Sequence, residues 1–185
     1  MKSCFPEVLE EVIGRSADEC FRDLGLTLPP INPPVPLRTG DSHVAGLIEL
    51  NGQIDGSVML ISTFDLIARM RLSGIAPACM SKSRAGDWIL IRDSAGELTN
   101  QFVGRVKNRL RGFGIKFGVG TPIALSGMAL KGLVHRYASG TTASFGRDPD
   151  IVQVTIRVRA DPSLATADLQ PQNPEMPREG ELLLL

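Results

Sequence analysis

Between Asp93 and Lys107 the chain reads Asp-Ser-Ala-Gly-Glu-Leu-Thr-Asn-Gln-Phe-Val-Gly-Arg-Val-Lys. At about 100° per residue, Asp93, Glu97, Asn100 and Gly104 share one narrow stripe of a helix. Ala95, Leu98, Phe102, Val106 and Leu110 occupy the opposite arc and are expected to face a core. Glu97 and Asn100, three residues apart, then project side by side from the outer face. The pair sets an acceptor for cations beside a carboxamide, which donates and accepts hydrogen bonds without titrating. Gly104, one turn on, removes a side chain next to them. A glycine inside a helix costs about 1 kcal/mol relative to alanine, so its presence predicts close approach by another group. Polar residues on an open helical face are ordinarily a solvated surface, so the pair gains weight only from its surroundings.

Other chemistries are excluded by residue type and spacing. Ser94 in Asp-Ser-Ala-Gly lacks the Gly-X-Ser-X-Gly turn of a nucleophile elbow. His43 and His135 stand far apart with no ligand-spaced Cys or acid, which argues against a metal site. Gly118-Val-Gly120 is too sparse for a phosphate loop. The basic cluster Arg105-Val-Lys-Asn-Arg-Leu-Arg111, with Lys116, complements the dipole at the end of a helix, and it also offers cations to an acidic partner.

The chain has 185 residues, with 20 Lys plus Arg balanced by 20 Asp plus Glu. That length fits one domain with tails, or at most two small ones. A hydrophobic fraction of 43% excludes wholesale disorder, and zero net charge removes the usual reason to expect nucleic acid. Aromatics at 5% are too scarce for base-stacking platforms. Cys4, Cys20 and Cys79 form no disulfide framework, and Cys4 and Cys20 are expected as small buried hydrophobes on a helix. The acidic N-terminal segment is unlike a signal peptide, and Phe117–Leu130 is too short and too broken by Gly and Pro to span a membrane. A cytoplasmic protein with no membrane insertion is expected.

The elements that must position the stripe can be read from periodicity. Residues 4–25 form an amphipathic helix with Ser3 as N-cap, Pro6 in its first turn and Gly25 as its stop. Residues 27–40 hold five prolines and form an extended connector. Val44–Leu50 and Ser57–Ser62 are strands joined through Asn51-Gly52 by a connection longer than the minimal hairpin. Thr63 caps a short helix over Phe64–Leu72; a loop around Pro77 and Ser81–Gly86 follows. The long helix runs from about Asp87 to Arg111 and stops at Gly112/Gly114. Strands are predicted over Ile115–Val119, Ile123–Ser126, Leu133–Phe145 in broken form, and Val152–Val158, with a turn at Arg147–Asp150. The fold class is α+β: an antiparallel sheet with two long helices packed on it. Residues 1–160 make the domain, and 161–185 a Pro-rich tail ending in four leucines.

The segment Gly96-Glu-Leu-Thr-Asn100, with Asp93 four residues before the Glu, resembles the chemotaxis phosphatase family that includes CheX, CheC and the related FliY. The family's pattern is an acidic residue or Ser, three residues, Glu, two residues and Asn on a long helix. Gly46-Leu-Ile-Glu-Leu50 and Gly56-Ser-Val-Met-Leu-Ile61 are similar to the family's preceding strands, and Thr121-Pro-Ile-Ala-Leu-Ser-Gly127 to its following one. The resemblance covers about residues 3–160. A single Glu-X-X-Asn is present, as in CheX rather than CheC, and Arg105 stands where many relatives have a second Asn.

The resemblance implies a CheC/CheX-like fold and hydrolysis of the aspartyl phosphate of a CheY-like response regulator. It casts Asn100 as orienting the attacking water and Glu97 as pairing with the regulator's Lys. Asp93, Gly104 and Lys107 would contact the partner; Asp93 either adds to the acidic contact or serves the N-terminal half of its helix. No cofactor of its own is implied, Mg²⁺ being carried by the regulator, and single-motif relatives suggest a homodimer. The alternative is a non-catalytic adaptor that binds a response regulator or a flagellar switch component through the same helix.

Overall fold

The computed structural model describes residues 4–36, 42–72, 85–137, 140–165 and 169–171. Among these, in chain order, are α1 (Phe5–Asp23), β1 (Pro30–Ile31), β2 (His43–Gly52), β3 (Ile54–Thr63), α2 (Phe64–Leu72) and α3 (Ala85–Arg111). Then come β4 (Phe117–Val119), β5 (Ile123–Ser126), α4 (Gly127–Tyr137), β6 (Thr141–Arg147), β7 (Asp150–Ala160) and α5 (Pro162–Ala165).

Every strand pairing is antiparallel, in the order β1-β6-β7-β3-β2-β4, with β5 also on β2. The β2–β3 ladder runs from His43↔Thr63 to Leu50↔Gly56. The residues between Leu50 and Gly56 are no idle loop, because Asn51 and Gly52 pair with β4 while Ile54 and Asp55 pair with β7. The connection is therefore long because each arm splays to a different neighbour.

Strand alternation divides the core in two. Val44, Ile48, Leu50, Val58, Leu60, Val154 and Ile156 face α1, α2 and α3 in the main cluster. Ala45, Leu47, Met59 and Ile61 face the other way and are covered by Leu130 of α4, with Leu133 and Val134 beside it. The two long helices thus share one face of the sheet. Both end in the same device. Gly25 and Gly114 adopt positive φ, Leu26 N–H donates to the Phe21 carbonyl, and Ile115 N–H donates to that of Leu110. This is the Schellman arrangement, in which glycine alone adopts the left-handed turn without penalty. The start of α2 agrees with its predicted cap: Leu66 N–H donates to Thr63 Oγ1 at 3.3 Å.

Four expectations are corrected. Leu133–Phe145 is not a broken strand: Gly127–Tyr137 is the helix α4, and only Thr141 onward joins the sheet. Leu130, Leu133 and Val134 carry the i, i+3, i+4 period, but Gly127, Gly132 and a β-branched Val hide it by lowering helix propensity. Ile115 and Lys116 belong to the exit from α3, so β4 begins at Phe117. The N-cap of α1 is Cys4, whose N–H donates to Glu7 at 3.1 Å. As a cap outside the helical face Cys4 is exposed, whereas Cys20 is buried as expected. Ser3, Cys79, and the loop around Pro77 up to Arg84 lie outside the described residues.

Past Ala160 the chain goes on packing. Asp161 accepts hydrogen bonds from the hydroxyl and the N–H of Ser163, which hold its carboxyl below the ordinary aspartate pKa. Leu164 and Leu169 join the main core cluster.

One contact sets how closely α3 lies on the sheet. A Cβ at Gly46 would sit 2.0 Å from Thr99 Oγ1 and 2.6 Å from the Ala95 carbonyl oxygen. Only glycine leaves room there, because the Ala95 oxygen is backbone and cannot swing away. Gly46→Ala is therefore expected to destabilise the fold by roughly 3 kcal/mol through overpacking. The check is the urea unfolding midpoint, which should fall without a change in slope.

Candidate functional site on the outer face of α3

Helix α3 takes its rotation from its buried arc. Ala95, Leu98, Phe102, Val106 and Leu110 are buried in the main cluster, together with Ile91 and Val103. Thr99 is also wholly buried, and its hydroxyl is satisfied by donating to the Ala95 carbonyl at 2.7 Å. The opposite arc follows from this. Asp93, Glu97, Asn100 and Lys107 are exposed, and Gly104 is half-exposed. The structure thus brings the five candidate residues onto one outward face of one helix.

Two ion pairs fix the C-terminal half of α3 against α1. Arg105 meets Asp23 at 2.8 Å and Arg109 meets Glu19, and both guanidiniums are largely buried while the acids remain more open. Two of the five cations of the basic cluster are therefore structural. Arg105 turns towards α1.

Within the site, Gln101 Nε2 donates to Glu97 Oε1 at 3.0 Å. This i, i+4 bond fixes one carboxylate oxygen and leaves the other free. Sequence reading missed Gln101, although its spacing from Glu97 was a usable signal. Ser94 Oγ donates back to the Leu90 carbonyl at 2.7 Å, as a helical serine commonly does.

Gly104 departs from expectation. No atom outside its own helix backbone and immediate neighbours lies within 4 Å of where its Cβ would be. The close approach that its presence predicted is absent within the described chain; the close approach is at Gly46 instead. What Gly104 leaves is an open notch beside Asn100.

A groove flanks each side of the Asp93–Glu97 ridge. One, of about 450 Å³, has Leu24, Ile67, Met70 and Leu98 as its apolar lining, with Asp93, Ser94, Glu97 and Gln101 beside them. The other, of about 520 Å³, lies between α3 and β5 and is lined by Ile89, Arg92, Gly96, Pro122, Ile123 and Ala124 along with the same two acids. Arg92 spans the second groove by donating to the Ala124 carbonyl at 2.9 Å. Among the described residues, no group of three or more His, Cys, Asp or Glu is placed to hold a metal ion. No described helix is long and apolar enough to cross a membrane.

This architecture, an antiparallel sheet carrying two long helices, is that of the CheC/CheX-like folds. The family model for the chemotaxis phosphatase CheX matches residues 44–142, more than half of the chain, and the chain belongs to that family. Among solved structures it is similar to a CheC-like superfamily protein from Shewanella sp. PV-4, at 23% identity and a TM-score of 0.62. That match covers 83% of this chain and 98% of the other. It is also similar to CheX in the CheX–CheY–BeF3–Mg²⁺ complex from Borrelia burgdorferi, at 16% identity and a TM-score of 0.63, covering 80% and 96%. A third is the chemotaxis protein CheX from Vibrio vulnificus, at 20% identity and a TM-score of 0.61, covering 83% and 97%. No curated protein matches by sequence.

The open notch generates a test that separates stability from function. Gly104→Ala adds a methyl to an exposed helix interior with nothing to strike, so it should stabilise the fold by about 0.5–1 kcal/mol. If a partner uses the notch, the same variant will bind that partner more weakly. Thermal unfolding and a binding titration on one preparation read both effects.

Proposed function

We propose that this chain hydrolyses the aspartyl phosphate of a CheY-like response regulator. The single observation that carries the reading is the paired exposure of Glu97 and Asn100 on a helix whose apolar arc, from Ala95 through Leu98, Phe102 and Val106 to Leu110, is buried. Membership of a chemotaxis phosphatase family, and the likeness to a CheX seen in complex with CheY, support it.

The reaction needs little from the protein beyond positioning. An acyl phosphate is already activated, and Mg²⁺ held by the regulator neutralises the phosphoryl oxygens. What remains is to hold one water in line with the scissile P–O bond. Asn100 does this by accepting from the water and donating to an oxygen while staying uncharged. The water oxygen bonds to phosphorus and the acyl P–O bond breaks. The regulator's aspartate leaves as a carboxylate, and the water's proton passes to a phosphoryl oxygen or to solvent.

Glu97 is the anchor. Its free oxygen pairs with the regulator's Lys while the bond from Gln101 keeps the carboxylate on the outer face. Asp93, one turn earlier, adds to the acidic contact, and the notch at Gly104 and the cation of Lys107 receive a further part of the regulator's surface. Resemblance to single-motif relatives supports a homodimer in the cytoplasm.

Two substitutions separate the roles. Asn100→Ala should lower kcat by about 100-fold or more while leaving regulator binding nearly intact, because it removes a group that acts in the transition state. Glu97→Ala should raise KM by about tenfold, because it strips the counter-charge from the partner's Lys. Full activity of Asn100→Ala would reject the mechanism and leave the non-catalytic adaptor. A further expectation concerns small phosphate monoesters. Their leaving groups are far poorer than the aspartate of an acyl phosphate, and one oriented amide cannot make up the difference. Assayed with and without added Mg²⁺, they should stay at background; robust turnover would mean a different phosphatase class.

A further inference from the structure

The two grooves beside the Asp93–Glu97 ridge differ in what they leave uncovered. On the α1/α2 side the apolar floor already belongs to the protein's own core, with Ile67, Met70 and Leu98 only 2%, 5% and 5% exposed. On the β5 side the apolar residues stand at the rim: Ile89 is 60% exposed and Ile123 53% exposed, with Pro122 between them in the lining. Covering them would remove apolar surface from water, at about 25 cal/mol per Å². Of the two grooves as described, this one leaves the more exposed apolar lining for a partner to cover.

We infer that the shelf formed by Ile89, Pro122 and Ile123 is the second contact of the response regulator and sets which regulator is accepted. The inference rests on the phosphatase reading. Its footing is continuity, since the shelf and the two acids line one groove. A regulator whose Lys reaches Glu97 from this side lays the surface around that Lys over Pro122 and Ile123, which line the same groove. Helix and shelf adjoin at Gly96, where a Cβ would lie in ordinary contact, 3.8 Å from that of Pro122. The matching surface on the regulator is a lysine flanked by apolar side chains.

A second copy of this chain is the poorer occupant. A two-fold contact centred on the groove would bring Asp93 and Glu97 towards the same acids of the other copy, with Arg92, which donates to the Ala124 carbonyl, as the one cation set against two acids in the lining, and the excess of like charge opposes association. A regulator's lysine relieves that repulsion.

The test uses the full chain and the double variant Ile89→Gln/Ile123→Thr, which keeps a good helix former in α3 and a β-branched residue in β5. Titration with a beryllofluoride-activated CheY-like regulator that binds the wild-type chain should show affinity at least tenfold weaker for the variant. KM for the phosphorylated regulator should rise in step while kcat at saturation is unchanged. Ile89→Leu/Ile123→Val, which keeps the surface apolar, should restore binding. An unchanged unfolding midpoint shows that the fold has survived. Unaltered affinity of the folded double variant overturns the shelf and leaves the phosphatase reading standing. Conversion of a wild-type dimer to a monomer by the double variant, read by sedimentation, also overturns it by assigning the surface to a second copy. If no activated regulator binds the wild-type chain, the phosphatase reading fails and takes the shelf with it.

Discussion

The close approach of α3 to β2 at Gly46 is the constraint on which the rest of the molecule depends. Thr99 and the Ala95 carbonyl occupy the space where any other residue would carry a Cβ. Helix and sheet can therefore meet along the full arc of Leu98, Phe102 and Val106. Burying that arc fixes the rotation of α3, and the rotation decides that Glu97 and Asn100 face outward. Interiors pack at crystal-like density, so even a one-carbon addition at this point is felt across the interface. The acid–amide pair is exposed because the residues between its members are not free to be.

The electrostatics of the long helix divide along its length. Its C-terminal half spends Arg105 and Arg109 on Asp23 and Glu19 of α1, which ties the two long helices together at the end remote from Asp93. Its N-terminal half keeps Asp93 and Glu97 between two grooves. The part that is tied down and the part that offers charge are thus successive segments of one rigid rod. A rigid rod suits a site whose task is to hold two side chains in register rather than to close around a ligand.

Much of this was legible in the sequence because it rests on periodicity and glycine. The stripe from Asp93 to Gly104, the cap at Thr63, the exact span of β5 and the helix stops at Gly25 and Gly114 each follow from spacing that local structure obeys directly. What stayed hidden depends on tertiary contacts. The helix α4 carries too short an apolar stripe, with two glycines, to announce itself before the second face of the sheet is there to bury it. Gly46 gives no sign in the chain that Thr99 will lie over it, and Gly104 looks like the close-packing glycine while facing open space. Arg105 reads as part of a basic surface until α1 supplies Asp23. For α4, Gly46 and Arg105 the partner lies tens of residues away in sequence, beyond the reach of any local pattern.

The central claim is that the outer face of α3 accelerates loss of an aspartyl phosphate. The most direct measurement is the decay of phosphate on a CheY-like response regulator, with this chain present at a small fraction of the regulator concentration. The account predicts faster decay with many turnovers per chain. Decay at the regulator's own rate, or decay slowed because a bound chain shields the phosphoryl group, would contradict it.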